Sequence, residues 1–285
     1  MGMKAVFRDG APPLGGRRLV VMHEPAGAPR GVVVGVAAFA EEMNKGRRTV
    51  AMGARALARE GFLVVQPDLA GCGDSSGDLV DASWNAWVAD VLDTAHWAAG
   101  LVDADLPLTL WGVRAGCLVV AQARAQFQRP ANLLFWQPQP NGKLVLQQFL
   151  RLKMAGQLQQ GSAKGVTEGL LADLAAGRAV EVAGYQLGSG VANGLGAAQL
   201  VAPSSDARTR VLWLEVSAQT PPELLPASQN VVQRWTAAGV DVHAEAVNGP
   251  LFWQTQDIEE APALVERTAE KMRTLCETTA AAATA

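Results

Sequence analysis

Gly112-Val113-Arg114-Ala115-Gly116 and Asp68-Leu69-Ala70-Gly71-Cys72-Gly73-Asp74-Ser75-Ser76-Gly77 are the two stretches whose reading decides the fold. The first lies between a strand-like run, 108–112, and a helical pattern, 117–127. Its glycines, two before and two after residue 114, let strand and helix approach closely and put the central side chain on a tight turn. The second stretch follows the apolar run 62–67. Its Gly, Asp and Ser content reads as loop.

Working outward, 4–8 and 17–23 read as strands joined by the turn-rich 9–16, an antiparallel hairpin. Residues 31–36 form a continuous β-branched run, the pattern of a strand buried on both faces. A loop over 37–46 and a helix over 47–60, stopped by Gly61, come next. Ser83 is placed to cap a helix through Trp84, Trp87, Val91, His96 and Trp97. Residues 131–137 make a further strand. Strand and helix thus alternate, which implies a parallel sheet with helices on both faces. The alternation breaks near residue 139. Helical pieces at 144–157 and 167–176 and Gly-rich sequence at 184–196 read as an inserted lid. Strands 210–216 and 240–247 and helices 227–238 and 257–276 then complete the chain, with 278–285 low in complexity and frayed. The expected organisation is a core over 1–138, a lid over 139–207, and the rest of the core over 208–285.

The spacing around residue 114 is that of the nucleophile elbow, G-x-S-x-G, and 68–77 resembles the D-x-x-G-x-G-x-S-x-G loop of α/β-hydrolases. Their order, with eight strand candidates, predicts an α/β-hydrolase fold: a mostly parallel eight-stranded sheet, helices on both faces and an inserted lid. Yet the elbow's centre is Arg114. A guanidinium neither deprotonates nor attacks a carbonyl. The acid expected near strand 210–216 has a candidate in Glu215, inside the strand. The histidine expected after strand 240–247 is missing: that loop reads Asn248-Gly249-Pro250-Leu251-Phe252-Trp253-Gln254. His23, His96 and His243 fall in an early strand, in a helix and in mid-strand, all read as structural or surface groups. Cys117, nearly a turn past the elbow, reads as a core thiol. Trp253 lies in the loop expected to rim the pocket.

Composition excludes several classes. The 285 residues are 49% apolar and 18% charged, enough for a sizeable core and too few charges for a disordered chain. With 24 basic and 27 acidic residues there is no excess of positive charge to hold nucleic acid. Three cysteines, Cys72, Cys117 and Cys276, fit a reducing cytosol; no pair has zinc-ligand spacing, and no metal or cofactor is expected. The longest apolar run, 31–40, has a strand's length, so neither a signal peptide nor a membrane span is expected and the location implied is cytoplasmic.

The segments Phe39-Ala40-Glu41-Glu42-Met43-Asn44-Lys45, Asp68-Leu69-Ala70-Gly71-Cys72-Gly73-Asp74-Ser75, Trp111-Gly112-Val113-Arg114-Ala115-Gly116 and Gly249-Pro250-Leu251-Phe252-Trp253-Gln254-Thr255 resemble the exosortase A system-associated hydrolase 2 family, within the α/β-hydrolase superfamily. The resemblance covers most of the chain outside the insertion. It implies an accessory role beside exopolysaccharide synthesis and the sorting of proteins with a PEP-type C-terminal signal. It also implies that a missing elbow serine belongs to the family's pattern. The chain departs from that pattern at Val36-Ala37-Ala38, where a proline-containing stretch is expected.

A permanent cation at the elbow, next to the positive end of a helix, needs an anion. Glu41 and Glu42 in the 37–46 loop are candidates, as is Glu215. One alternative is an internal salt bridge over a closed pocket. Another is that Arg114 and the helix start bind a carboxylate, phosphate or sugar acid, with Asn44, Phe252 and Trp253 nearby. A third is ester or thioester hydrolysis in which Glu41 or Glu42 acts as general base and Arg114 stabilises an oxyanion. Arginine beside the glutamate lowers its pKa and works against that third reading. The reading carried forward is an accessory protein that binds a small anionic ligand or a partner of the exopolysaccharide machinery.

Overall fold

The computed structural model describes residues 2–157, 165–203, 209–255 and 257–283; over 154–157 and 276–283 only the backbone is described. Residues 158–164 and 204–207 of the expected lid, and 284 and 285 of the tail, lie outside the described residues.

An eight-stranded sheet forms the centre. Strands β1 (Gly2–Asp9) and β2 (Arg17–Glu24) make the expected antiparallel hairpin, and β2 joins β4 (Phe62–Pro67) antiparallel. From there all pairings are parallel: β4 with β3 (Gly31–Val36), β3 with β5 (Leu108–Val113), β5 with β6 (Asn132–Trp136), β6 with β9 (Arg210–Ser217) and β9 with β10 (Asp241–Asn248). The order is β1-β2-β4-β3-β5-β6-β9-β10. The chain steps from β3 out to β4 and back across to β5. Loops leaving β3 and β5 therefore diverge, which opens a crevice at the C-terminal edge of the sheet.

Period-two alternation divides the core. Val33, Trp111, Leu134 and Trp136 face α1 (Glu41–Arg59) and α8 (Pro262–Ala283). Val32, Val34, Leu110, Leu133 and Phe135 face the other side, with α2 (Trp84–Ala99) and α3 (Gly116–Gln126). Both faces are apolar, hence the uninterrupted apolar runs of the central strands. Ser83 caps α2, its hydroxyl accepting from the Ala86 amide at 3.2 Å. Between β6 and β9 lie α4 (Gly142–Gln157), α5 (Val166–Ala175), a hairpin of β7 (Val180–Val182) and β8 (Tyr185–Leu187), and α6 (Ser189–Ala197). Their buried residues join the α2–α3 side of the core. Helix α7 (Pro226–Ala237) links β9 to β10. Among the described residues no helix is long and apolar enough to cross a membrane.

Two expectations need correction. Glu41 and Glu42 are not in a loop: α1 begins at Glu41, six residues before the expected start. Two carboxylates in the first turn offset the unpaired amides there. Gly46 passes inside this helix because Phe252 takes the space, its ring 3.3 Å from where a Cβ would stand. At the other end, α8 starts at Pro262 rather than 257, since proline is tolerated in a helix's first turn and not in its interior. Its backbone stays helical to Ala283, well into the segment 278–285 expected to fray.

Candidate functional site

Arg114 adopts a positive φ of 55°, the strained turn that the elbow spacing requires. The flanking glycines have no room for anything larger. A Cβ on Gly112 would fall 2.5 Å from the Cα of Cys117, and one on Gly116 would fall 2.5 Å from the Ala37 carbonyl oxygen. Ala40, ahead of α1, and Gln137, just past β6, also take positive φ, 51° and 46°. Three of the four non-glycine residues with positive φ among those described thus cluster at the C-terminal edge of neighbouring strands. Each costs on the order of 1–3 kcal/mol, so the surrounding packing must hold them there.

The side chain of Arg114 is buried and paired through Nε and Nη2. Its Nη2 donates to Glu42 Oε1 at 2.7 Å, and its Nε lies 3.2 Å from both carboxylate oxygens. The opposite flank is covered by Trp253, whose ring centre lies 4.5 Å from Cζ. A cation so enclosed gains about 2 kcal/mol from the ring face. Trp253 is buried and edges onto Phe252, which in turn meets Trp136. The loop after β10 therefore presents an indole to residue 114 where a hydrolase would present an imidazole.

The remaining candidates separate. Glu41, one residue from Arg114's partner, makes no ion pair with it. Burial pushes the Glu41 carboxyl above its ordinary range, with Lys45 opposing, and its Oε2 finds no hydrogen-bond partner among the described residues. Glu215 is buried in β9, where Oε1 accepts from the Trp213 indole at 2.8 Å and Oε2 from the Leu225 amide at 2.9 Å. Both oxygens are used there, so Glu215 is a fastening between β9 and the start of α7. Asn44 points away from the elbow and donates to the Tyr185 hydroxyl at 2.8 Å, tying α1 to β8. His23 is buried in β2, where burial and the nearby Arg55 charge lower its pKa; His96 stacks on Phe127, and His243 pairs with Asp241 on β10. Cys117 is fully buried, its thiol pushed well up by desolvation, with a weak contact to the Trp136 carbonyl. Among the described residues no group of three or more His, Cys, Asp or Glu could hold a metal ion.

Several hollows flank this arrangement. A cleft of about 400 Å³ runs between α1, α4 and the loop after β10, walled by Glu41, Glu42, Gln148, Phe149, Trp253 and Gln254. Glu42 and Trp253, which hold Arg114, form part of that wall; Arg114 does not. On the other side of Phe39 lies a smaller apolar cavity. Sequence reasoning missed its roof, Tyr185 and Leu195, because β8 and α6 sit in Gly-rich sequence with a weak periodic signal. The chain's one tyrosine, next to Gly184, was the available hint.

No family model matches the chain, and no curated protein does. Solved structures do. Est1E from Butyrivibrio proteoclasticus superposes with a TM-score of 0.62 at 13% identity, over 95% of this chain and 98% of that one. A structure described as a lipase in open form gives 0.62 at 16% identity, over 98% and 99%. An α/β serine hydrolase homologue from Coxiella burnetii gives 0.53 at 15% identity, over 96% and 95%. At these identities the likeness carries the architecture and nothing finer: the chain has the α/β-hydrolase fold.

Proposed function

We propose that this chain is a non-hydrolytic α/β-hydrolase-fold protein, a cytoplasmic accessory of an exosortase and exopolysaccharide system, as its family-like segments imply. The observation that carries the first part is the Arg114–Glu42–Trp253 arrangement. Position 114 holds a permanent cation clamped by a carboxylate at 2.7 Å and an indole at 4.5 Å. Arg114 and Trp253 can serve neither as nucleophile nor as general base, and the Glu42 carboxylate is committed to Arg114. The segment between β6 and β9 is read as a lid over this edge.

The ligand on this reading is a small anion, or an acidic side chain of a partner, that takes Glu42's place on Arg114 from the 400 Å³ cleft. Arginine's planar fork suits a carboxylate or phosphate equally well. Glu42 is then an internal competitor. The experiment follows from that role. Calorimetric titration with glucuronate and with inorganic phosphate should give tighter binding to Glu42→Gln than to the natural chain, and none to Arg114→Ala. Equal binding by all three proteins removes the anion reading. A fluorophosphonate probe that labels a serine stoichiometrically removes the non-hydrolytic one.

A second reading has one observation in its favour. Glu41 has a raised pKa and an unpartnered buried oxygen on the wall of the same cleft, the properties of a carboxyl kept for proton transfer. An ester or thioester hydrolase using Glu41 as general base would turn over p-nitrophenyl butyrate above the denatured control and lose that turnover in Glu41→Gln.

A further inference from the structure

His23 on β2 and Gln66 on β4 are polar side chains on the α1 side of the sheet, where Val33, Val64 and Trp111 pack as apolar core. Both border a trough of about 250 Å³ between these strands and α1. His23 is only 4% exposed. Its hydrogen bond to the Gln66 side chain favours the charged ring, so the amide oxygen accepts from the imidazole and the amide NH2 is left to donate. Gln66 reaches across β3 at Gly35, where a Cβ would fall 3.2 Å from its Cγ. The floor of the trough is thus hollowed by a glycine and laid with two polar groups, which burial makes costly unless they are used.

Charge is graded along the trough. Glu42, Asp68 and Asp74 stand at the end nearest the C-terminal edge of the strands. Glu42 is held by Arg114, and Asp68 is turned onto its own loop, accepting from the Asp74 amide at 3.0 Å. Arg55 stands at the other end, near His23. Arg47 lies about 12 Å from it along α1. Neither arginine has an ion pair or hydrogen bond among the described residues. Burial and the Arg55 charge hold the His23 pKa below its ordinary value, so the ring is uncharged at neutral pH. The His23 end therefore offers one cation, which matches a carboxylate better than a phosphate dianion. Leu19, Val21, Val50, Ala51 and Val113 line the stretch between the two ends with carbon. A hollow of ~150 Å³ holds a benzene ring, so this one has room for about ten non-hydrogen atoms.

We propose that this trough binds an amphiphilic monocarboxylate of about ten non-hydrogen atoms, its head on Arg55 and the Gln66 amide beside His23 and its aliphatic body along Leu19, Val21 and Ala51. The site lies on the α1 side of the sheet, across from the apolar cavity beside α3. It does not depend on the Arg114 reading or on the absence of hydrolysis.

Octanoate has that size and is the probe; 1-octanol lacks its charge and butyrate its length. In calorimetric titration octanoate should bind the natural chain roughly tenfold more tightly than either. In NMR it should shift the His23 ring resonances. Arg55→Ala should weaken octanoate roughly tenfold and leave 1-octanol unchanged. Arg55→Glu should reverse the preference, so that octylammonium binds more tightly than octanoate. Ala51→Trp and Val21→Phe, filling the trough from α1 and from β2, should each abolish octanoate binding. Arg48→Ala removes a charge that pairs with Glu260 instead and should leave octanoate binding unchanged. Absence of octanoate binding to the natural chain overturns the proposal. So does equal binding of 1-octanol, an affinity indifferent to both Arg55 variants, binding that survives both filling variants, or a His23 ring that does not respond.

Discussion

Glu42→Ala is the sharpest perturbation the structure offers. In the pair, the Arg114 side chain is 5% exposed and that of Glu42 20% exposed, so the substitution strands the more deeply buried member. Removing one partner of a buried pair costs about 3–5 kcal/mol. The low end applies here, because water from the adjoining cleft can follow the truncated side chain; the working figure is about 3 kcal/mol. Up to about 1 kcal/mol of that is the loss of a first-turn carboxylate from α1. In thermal unfolding it corresponds to a Tm lower by roughly 6–12 °C. Glu266→Ala, on an exposed position of α8, removes the same charge and should stay within about 0.5 kcal/mol. The double variant Arg114→Met, Glu42→Ala, measured beside each single variant, separates causes. If the penalty is a stranded cation, the double variant recovers most of it and the coupling is about 2 kcal/mol or more. A Glu42→Ala protein as stable as Glu266→Ala, or a double variant that costs the sum of its parts, refutes the reasoning.

Three further outcomes follow from the same geometry. Arg114→Ser should fold, since the side chain shrinks at an unchanged turn, and should show no esterase activity, because Trp253 stands where a base is needed; turnover of p-nitrophenyl esters above background would reveal an unrecognised base. Gly116→Ala would set a Cβ 2.5 Å from the Ala37 oxygen and 2.6 Å from that of Val36; despite the ~1 kcal/mol a helix gains from Gly→Ala, urea unfolding should show a net loss of about 2 kcal/mol. Glu41→Gln should stabilise at neutral pH: the folded-state pKa lies above the unfolded value, so Glu41 costs stability as pH rises through the folded pKa, and the variant's gain in Tm should vanish below the ordinary carboxylate range. A gain that persists at low pH would assign the effect to packing.

Most of the fold was legible because both faces of the sheet are buried. Runs such as 31–36 and 133–136 are apolar without a break, and the elbow glycines mark one turn that tolerates nothing larger. What was not legible depends on distant partners. The start of α1 was missed because Asn44-Lys45-Gly46 has loop composition. Gly46 is helical through contact with Phe252, more than two hundred residues away. Helix α6 was missed for the same reason: Gly188, Gly190 and Gly194 fit closely against Val80, Ala82 and Trp84 in space. In the site, a cation at residue 114 could be read from spacing, and the need for a carboxylate from its charge. Which carboxylate could not. Glu41 and Glu42 are adjacent in sequence, and only the helical phase of α1 turns Glu42 onto Arg114 and leaves Glu41 on the cleft wall.

That division of labour between adjacent glutamates constrains how the site can change. Arginine at 114 is tolerable only with Glu42 to neutralise it and an aromatic face at 253 to cover it, and these lie on three separate segments. Restoring serine alone leaves Glu42 without its cation beside Trp253 and supplies no base. Replacing Trp253 alone uncovers the guanidinium. Each single step is unfavourable while the others stand, so Arg114, Glu42 and Trp253 behave as one unit. Glu41 is outside it, carrying a pKa raised by burial and no partner for one oxygen. The unit neutralises and covers the elbow cation, and the neighbouring cleft is left to whatever Glu41 meets.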